Sequence, residues 1–319
     1  MKLSSKIQKC ELSPIRKFAP FADAARARGI KIYPLNIGQP DIETPAAFFD
    51  AVRNFESPVL EYAPSAGIPA YLKAVHDYYT RIGIELEPGD MLATAGGSEA
   101  LSITLACILD DGDELLTAEP FYPNYSTFTQ VTGATIRPIP TFAEEGFRYA
   151  VRERIEPLIN EHTRAILMTN PGNPTGYVLS RAEMRVIADI AKEHDLYVVS
   201  DEVYREFVYG GEEMTSMLEF EDLHDNVIVV DSVSKRFSAC GGVRNAGGNQ
   251  TAVVCGGYDV ESFRLPCQGK RRSAACYCIR LAGGAGSGGR EHGHGDQQDG
   301  YEDKHRQGDR VSLHLNLSA

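Results

Sequence analysis

Between about residue 46 and residue 240, short apolar runs alternate along the chain with segments in which apolar residues recur at helical spacing. The helical segments are DAVRNF, YLKAVHDYY, SEALSITLACIL and AEMRVIADIAKEH. The apolar runs are ELLTA, ATIRPI, AILMT, LYVVS and NVIVVDS, which are rich in Val, Ile and Thr. Strands that alternate with helices form βαβ units. The pattern therefore predicts an α/β fold with a mostly parallel sheet and helices on both faces.

The last quarter of the chain differs in composition from the rest. Residues 241–319 hold 16 of the 30 glycines and 4 of the 7 cysteines, and they show no periodic apolar pattern. The stretch GGAGSGGREHGHGDQQDGYEDKHRQGD is poor in apolar residues, which is typical of disordered or poorly packed segments. Two interpretations of residues 241–319 stay open: a natural flexible tail, or coding sequence read in the wrong frame.

Charge and cysteine content exclude several classes of protein. The net charge of −12 argues against a general binder of nucleic acid or of anionic membranes. No run of about 18 apolar residues is present, and the first residues lack the apolar stretch of a secretory signal. Seven cysteines without a framework spacing fit a reducing compartment, so we expect a cytoplasmic protein.

Two patterns in residues 241–319 resemble binding motifs but lack the context that those motifs need. Residues 284–289 fit G-x-G-x-x-G, yet no amphipathic helix follows them, so they do not predict a dinucleotide site. Cys255, Cys267, Cys276 and Cys278 match no standard zinc spacing. We therefore predict no metal site.

Polar motifs follow several of the predicted strands at the point where each strand ends. AILMT continues into NPGNPTG at 170–176, LYVVS into the Asp201–Tyr204 segment, and NVIVVDS into Ser234 and Lys235. The segment TAGGSEAL at 94–101 precedes a predicted helix. Ligands of open α/β sheets bind beyond the carboxyl ends of the strands, so these motifs are candidates for one site.

Five of these segments resemble a known family in their order and spacing. TAGGSEAL, PFYPNY, NPGNPTG, SDEVY and DSVSK are similar to motifs of the class I/II aminotransferases, fold type I enzymes that use pyridoxal 5′-phosphate (PLP). LNIGQPD and EYAPSAGIPAYLKAV are similar to the opening of that family, and the resemblance covers about residues 12–241. It implies an N-terminal arm at 1–45 and a large PLP-binding domain at 46–240. Residues 241–319 contain no counterpart of the family's small C-terminal domain or of its carboxylate-binding arginine.

The resemblance implies catalytic roles for a few residues at the strand ends. Lys235 matches the lysine that binds the cofactor covalently and moves the substrate proton. Asp201 matches the carboxylate that keeps the pyridine nitrogen protonated. Asn173 and Tyr204 match the donors to the ring oxygen, and Asn173 also borders the substrate.

The remaining implied contacts surround the cofactor and the substrate. Backbone amides at a helix N-terminus suit a phosphate, and serine hydroxyls near the lysine add to that site. An aromatic ring stacks on the pyridine, a tyrosine reaches the phosphate of the neighbouring subunit, and a glycine lies at the substrate carboxylate. The corresponding residues are Gly97, Ser98, Glu99, Ser232, Ser234, Tyr122, Tyr62 and Gly38.

The function implied by the resemblance is transfer of an amino group between an L-amino acid, with aspartate the first candidate, and a 2-oxo acid such as 2-oxoglutarate. It also implies a homodimer with shared sites. Two alternatives stay open: a PLP-dependent lyase of the same fold acting on a cysteine-type substrate, and a non-catalytic gene remnant.

Overall fold

The computed structural model describes residues 2–10, 17–59, 61–223 and 225–240. The predicted Gly-rich tail at 241–319, with its glycine and cysteine patterns, lies outside these residues.

A parallel five-stranded sheet forms the centre of the described chain, with the strand order β2-β1-β3-β4-β5. The strands are β1 (Glu114–Glu119), β2 (Thr135–Pro140), β3 (Thr163–Thr169), β4 (Tyr197–Asp201) and β5 (Val227–Val230). Each of the five apolar runs in the sequence overlaps one of them within two residues at either end, and the sheet is parallel as predicted.

Nine α-helices lie within the described residues, and the four predicted helical segments are among them. They are α1 (Ser5–Gln8), α2 (Ala19–Ala27), α3 (Ala46–Arg53), α4 (Pro69–Arg81), α5 (Gly97–Ile108), α6 (Asn124–Thr132), α7 (Arg152–Ile155), α8 (Arg181–Glu193) and α9 (Val233–Arg236). None of them is long and apolar enough to cross a membrane.

Successive residues of the strands face opposite sides of the sheet and belong to two separate apolar cores. Leu115, Leu167 and Val199 pack in one core with residues of α5. Leu116 and Val198 pack in the other core with residues of α4 and α8. Both faces of the sheet are therefore covered by helices, as the long apolar runs of the strands predict.

Local sequence signals fix where the longer helices begin. In α8, the Ser180 side chain accepts from the Glu183 amide, and the Glu183 side chain accepts from the Ser180 amide. This reciprocal pair is a capping box, which satisfies amides that have no acceptor inside the helix. In α5, Gly96 precedes the first turn with a φ of 151°, a backbone conformation that favours glycine. The start of α5 therefore depends on a backbone shape rather than on a capping side chain.

Candidate active site

The predicted site residues gather at the carboxyl edge of β4 and β5, where α5 also begins. Asp201 ends β4, and Ser232 follows β5 by two positions. A Cβ placed on Gly97 would lie 3.6 Å from Val203 Cγ1 and 3.9 Å from Ser232 Cβ, both ordinary contacts. The start of α5 therefore packs directly against the segments that leave the two strands.

Lys235 lies in α9, the single helical turn that follows β5, and is half-buried. Its Nζ is 3.5 Å from the Gly38 carbonyl oxygen and 3.8 Å from Cys240 Sγ. The same Nζ lies 5.9 Å from the centre of the Tyr204 ring. The fold thus brings Gly38, which precedes Lys235 by 197 positions, to the predicted cofactor-binding lysine.

Asn173 and Tyr204 meet across the gap between two strand ends. Asn173 Nδ2 donates to the Tyr204 hydroxyl at 3.3 Å. Burial, followed by the negative charge of Asp201, raises the pKa of Tyr204 to about 12. Tyr204 therefore stays protonated at neutral pH and can donate a hydrogen bond, as the residues predicted to contact a ring oxygen require.

Asp201 is the buried carboxylate of the cluster, with 4% of its surface exposed. Its Oδ2 accepts a 2.5 Å hydrogen bond from the Tyr125 hydroxyl, and its Oδ1 accepts from the Val203 amide at 3.3 Å. Burial raises the pKa of Asp201 to about 6, and the Tyr125 hydroxyl opposes that rise. A cationic partner would relieve the cost of burying this charge.

Tyr125 is a site residue that the sequence interpretation did not identify. It lies in α6, three positions after Tyr122, and its side chain is fully buried. Its hydroxyl also lies 2.7 Å from Thr169 Oγ1 at the end of β3. Tyr122 lies before the first residue of α6, so helical spacing does not connect the two tyrosines, and no local pattern predicts the contact of Tyr125 with Asp201.

The entry to α5 is the segment predicted to bind a phosphate, and its amides are not all equally available. The first amides of a helix have no intrahelical acceptor, which applies to Gly97 and Ser98. The Glu99 amide donates to the Gly96 carbonyl at 3.0 Å, so this amide is already engaged within the turn. The Glu99 carboxylate accepts from the Ala95 amide at 2.5 Å. Glu99 therefore supports the turn with its side chain, whereas the prediction used its amide.

The remaining predicted residues differ in their surroundings. The Ser232 hydroxyl accepts from the Ser234 amide at 3.0 Å and caps α9. The Tyr122 ring makes an edge contact with Tyr125 at 5.4 Å between centres. Tyr62 is 96% exposed, so within one chain it lies on the surface. Among the described residues, no group of three or more His, Cys, Asp or Glu side chains is placed to hold a metal ion.

Comparisons with known proteins agree with this architecture. A family model described as "Aminotransferase class I and II" matches residues 30–253. That match begins later and ends later than the stretch 12–241 that carries the resemblance. A probable aspartate/prephenate aminotransferase of Aquifex aeolicus is 31% identical over 75% of this chain and 61% of its own length. Aromatic-amino-acid aminotransferase 2 of Thermococcus litoralis is 32% identical over 76% of this chain and 61% of its own.

A solved structure of a mutant aspartate aminotransferase from Thermus thermophilus superposes on this chain with a TM-score of 0.69 and 31% identity. It covers 76% of this chain, and this chain covers 63% of it. The chain therefore spans about three fifths of the length of the relatives it matches.

Proposed function

We propose that this chain, which belongs to the class I and II aminotransferase family, transfers an amino group between an L-amino acid and a 2-oxo acid with PLP as its cofactor. Family membership supports the reaction class. The single observation that carries the proposal is the buried Asp201 beside the cluster of Lys235, Tyr204 and Asn173. The relatives named above act, by their names, on aspartate, prephenate or aromatic amino acids. We propose aspartate and 2-oxoglutarate as the first pair to test.

The residues at the strand edge fit the separate chemical groups of PLP. The Asp201 carboxylate is buried at the sheet edge. The protonated pyridine nitrogen of PLP would place a positive charge beside it. The phosphate suits the first amides of α5 and the Ser232 hydroxyl. Tyr204 and Asn173 would donate toward the ring oxygen, and Lys235 Nζ is the amine that would bind the aldehyde. Tyr122 would stack on the ring, and Gly38 would face the substrate carboxylate.

Bound PLP supplies an electron sink for the pair of electrons left at the substrate Cα when its C–H bond breaks. Lys235 Nζ would take that proton and return it at the neighbouring carbon, acting first as base and then as acid. The Asp201 carboxylate would hold a proton at the ring nitrogen throughout. The Tyr204 hydroxyl would donate to the ring oxygen, a role that its raised pKa preserves at neutral pH.

We further propose a homodimer, a role in cytoplasmic amino acid metabolism, and Tyr62 as a residue that reaches the partner's phosphate site. Several large apolar side chains near the N-terminus are exposed in the single chain. They include Phe21 at 72%, Leu35 at 94% and Tyr62 at 96%. Scattered exposed apolar residues are ordinary, but a run of them within one segment is typical of a contact surface.

The experiment is an assay of the PLP-loaded full chain with L-aspartate, and separately with a cysteine-type amino acid, each with and without 2-oxoglutarate. Transamination forms a 2-oxo acid and glutamate only when the acceptor is present. A lyase would release pyruvate and ammonia from cysteine-type substrates without any acceptor, and a gene remnant would do neither.

Asp201→Asn should keep the cofactor but lose roughly tenfold or more in turnover, since one charge-assisted hydrogen bond contributes about 1.5–3 kcal/mol. Unchanged turnover in this variant would contradict the role of Asp201.

A further inference from the structure

Arg236 follows Lys235 directly in α9, but its side chain is directed into the protein. Only 8% of the Arg236 side chain is exposed. Its Nη2 donates to Asp231 Oδ2 at 2.6 Å, and the Asp231 side chain is fully buried. The pair is therefore a buried, charge-assisted hydrogen bond located one residue from the predicted cofactor-binding lysine.

Asp231 connects three elements at this point. It directly follows β5, and its Oδ2 also accepts from the Tyr79 hydroxyl of α4 at 3.0 Å. Its Oδ1 accepts from the Ser232 amide at 2.6 Å, at the start of α9. Because one carboxylate contacts β5, α4 and α9, its position fixes where α9 begins.

The guanidinium of Arg236 fixes the other end of the same turn. It lies 4.1 Å from the centre of the Tyr78 ring, a cation–π contact with α4. Its Nε lies 3.6 Å from Glu206 Oε1. The last residue of α9 is thereby held against α4 and the segment after β4.

A helix of four residues has little stability of its own, because nucleating a helical turn is unfavourable. The orientation of α9 therefore depends on its tertiary contacts. We propose that Arg236 and Asp231 are positioning residues whose buried ion pair holds α9 so that Lys235 Nζ faces the cofactor site. This inference rests on the proposed function, in which Lys235 binds PLP.

The test measures the rate at which PLP plus borohydride labels Lys235 in the full chain, and the label on the other lysines, by peptide mass mapping. Four variants are compared with the wild type: Arg236→Gln, Asp231→Asn, the double variant and Arg236→Lys. We expect about tenfold slower labelling in the first three, because a small displacement of a reacting group is costly. We expect Arg236→Lys, which keeps the charge, to recover part of the rate.

Recovery in Arg236→Lys, together with the share of the label that falls on Lys235 instead of on other lysines, separates positioning from a general loss of stability. We expect that share to fall in Arg236→Gln and in Asp231→Asn, because a displaced Nζ loses its advantage over exposed lysines. Arg154→Gln is the control, because Arg154 also forms an ion pair, with Glu145, and is partly buried, but it belongs to α7. It should label at the wild-type rate.

Equal labelling rates in the wild type, in Arg236→Gln and in Asp231→Asn would overturn the inference. So would an equal slowing in Arg154→Gln, since that would show a general effect of removing an ion pair. A wild type that is not labelled at Lys235 at all would instead refute the proposed function. The two failures are therefore distinguishable.

Discussion

The Asp201 carboxylate presents a conflict, because its burial destabilises the folded protein and yet suits the proposed chemistry. The folded protein buries its carboxylate at the sheet edge, where burial raises the pKa to about 6 from an ordinary value of 3.8. A hydroxyl and an amide stabilise the ionised form only in part. Such a group is expected where a cationic ligand group completes the arrangement, because charged residues that are costly in isolation concentrate at functional sites.

This conflict predicts a pH dependence of stability in the cofactor-free protein. The folded state holds the Asp201 proton more tightly than the unfolded state does. The stability due to this group is complete below about pH 4 and is lost as pH rises through about 6, by about 3 kcal/mol. Asp201→Asn should remove that loss, as measured by urea unfolding at pH 4 and pH 7.5. If the free energy of unfolding changed equally in the wild type and in Asp201→Asn between pH 4 and pH 7.5, ionisation of Asp201 would not be the cause of the loss.

The Tyr125 hydroxyl should affect the pKa of Asp201 as well. Its hydroxyl donates to Asp201 and lowers the pKa of that carboxyl, against the larger effect of burial. Tyr125→Phe should therefore raise the pKa of Asp201 above about 6, and carbon NMR of labelled aspartate in the cofactor-free protein measures it directly. Phe121→Leu, which alters a neighbouring aromatic ring of Tyr125 without removing a hydroxyl, is the control. An Asp201 titration that is unchanged in Tyr125→Phe would show that the hydroxyl does not act on it.

At the level of the elements, periodicity predicted all five strands and the four segments with strong helical spacing. The order of the motifs predicted which strand ends meet, because parallel strands end at one edge. The contact of Tyr125 with Asp201 was not predictable in this way, because it joins α6 to β4 across 76 positions. The network around Asp231 also depends on packing between elements that are far apart in sequence. Local patterns thus specify the elements, whereas the side chains that support the site depend on tertiary contacts.

The beginning of α5 allows a sharp test with two adjacent glycines. Gly96 has a φ of 151°, which side-chain-bearing residues rarely adopt, whereas a Cβ on Gly97 would make its nearest contact at 3.6 Å. Gly96→Ala should distort the turn at a cost of about 1–3 kcal/mol and weaken PLP binding roughly tenfold. Gly97→Ala should bind PLP within about threefold of wild type, since ordinary contacts require no shift. The measurement is PLP affinity by fluorescence titration, and equal losses in the two variants would contradict a conformational role for Gly96.

For the whole molecule, the proposed shared site can be tested by mixing two inactive chains. One chain carries Lys235→Ala and the other Tyr62→Ala, and each alone should hold PLP weakly. In a mixture, a hybrid dimer has one site with both residues intact, so about a quarter of all sites should regain tight binding. Equilibrium dialysis with PLP counts such sites. A mixture that binds no more than its separate components would contradict the contribution of Tyr62 across a dimer interface.

The central claim is that PLP binds this chain covalently at Lys235. The most direct measurement is borohydride reduction of the full chain with PLP, followed by peptide mapping, with Lys235→Ala as the matched control. The expected result is one dominant label on the peptide that contains Lys235, and its loss in the control. Label distributed over other lysines, or equal labelling of Lys235→Ala, would contradict the claim.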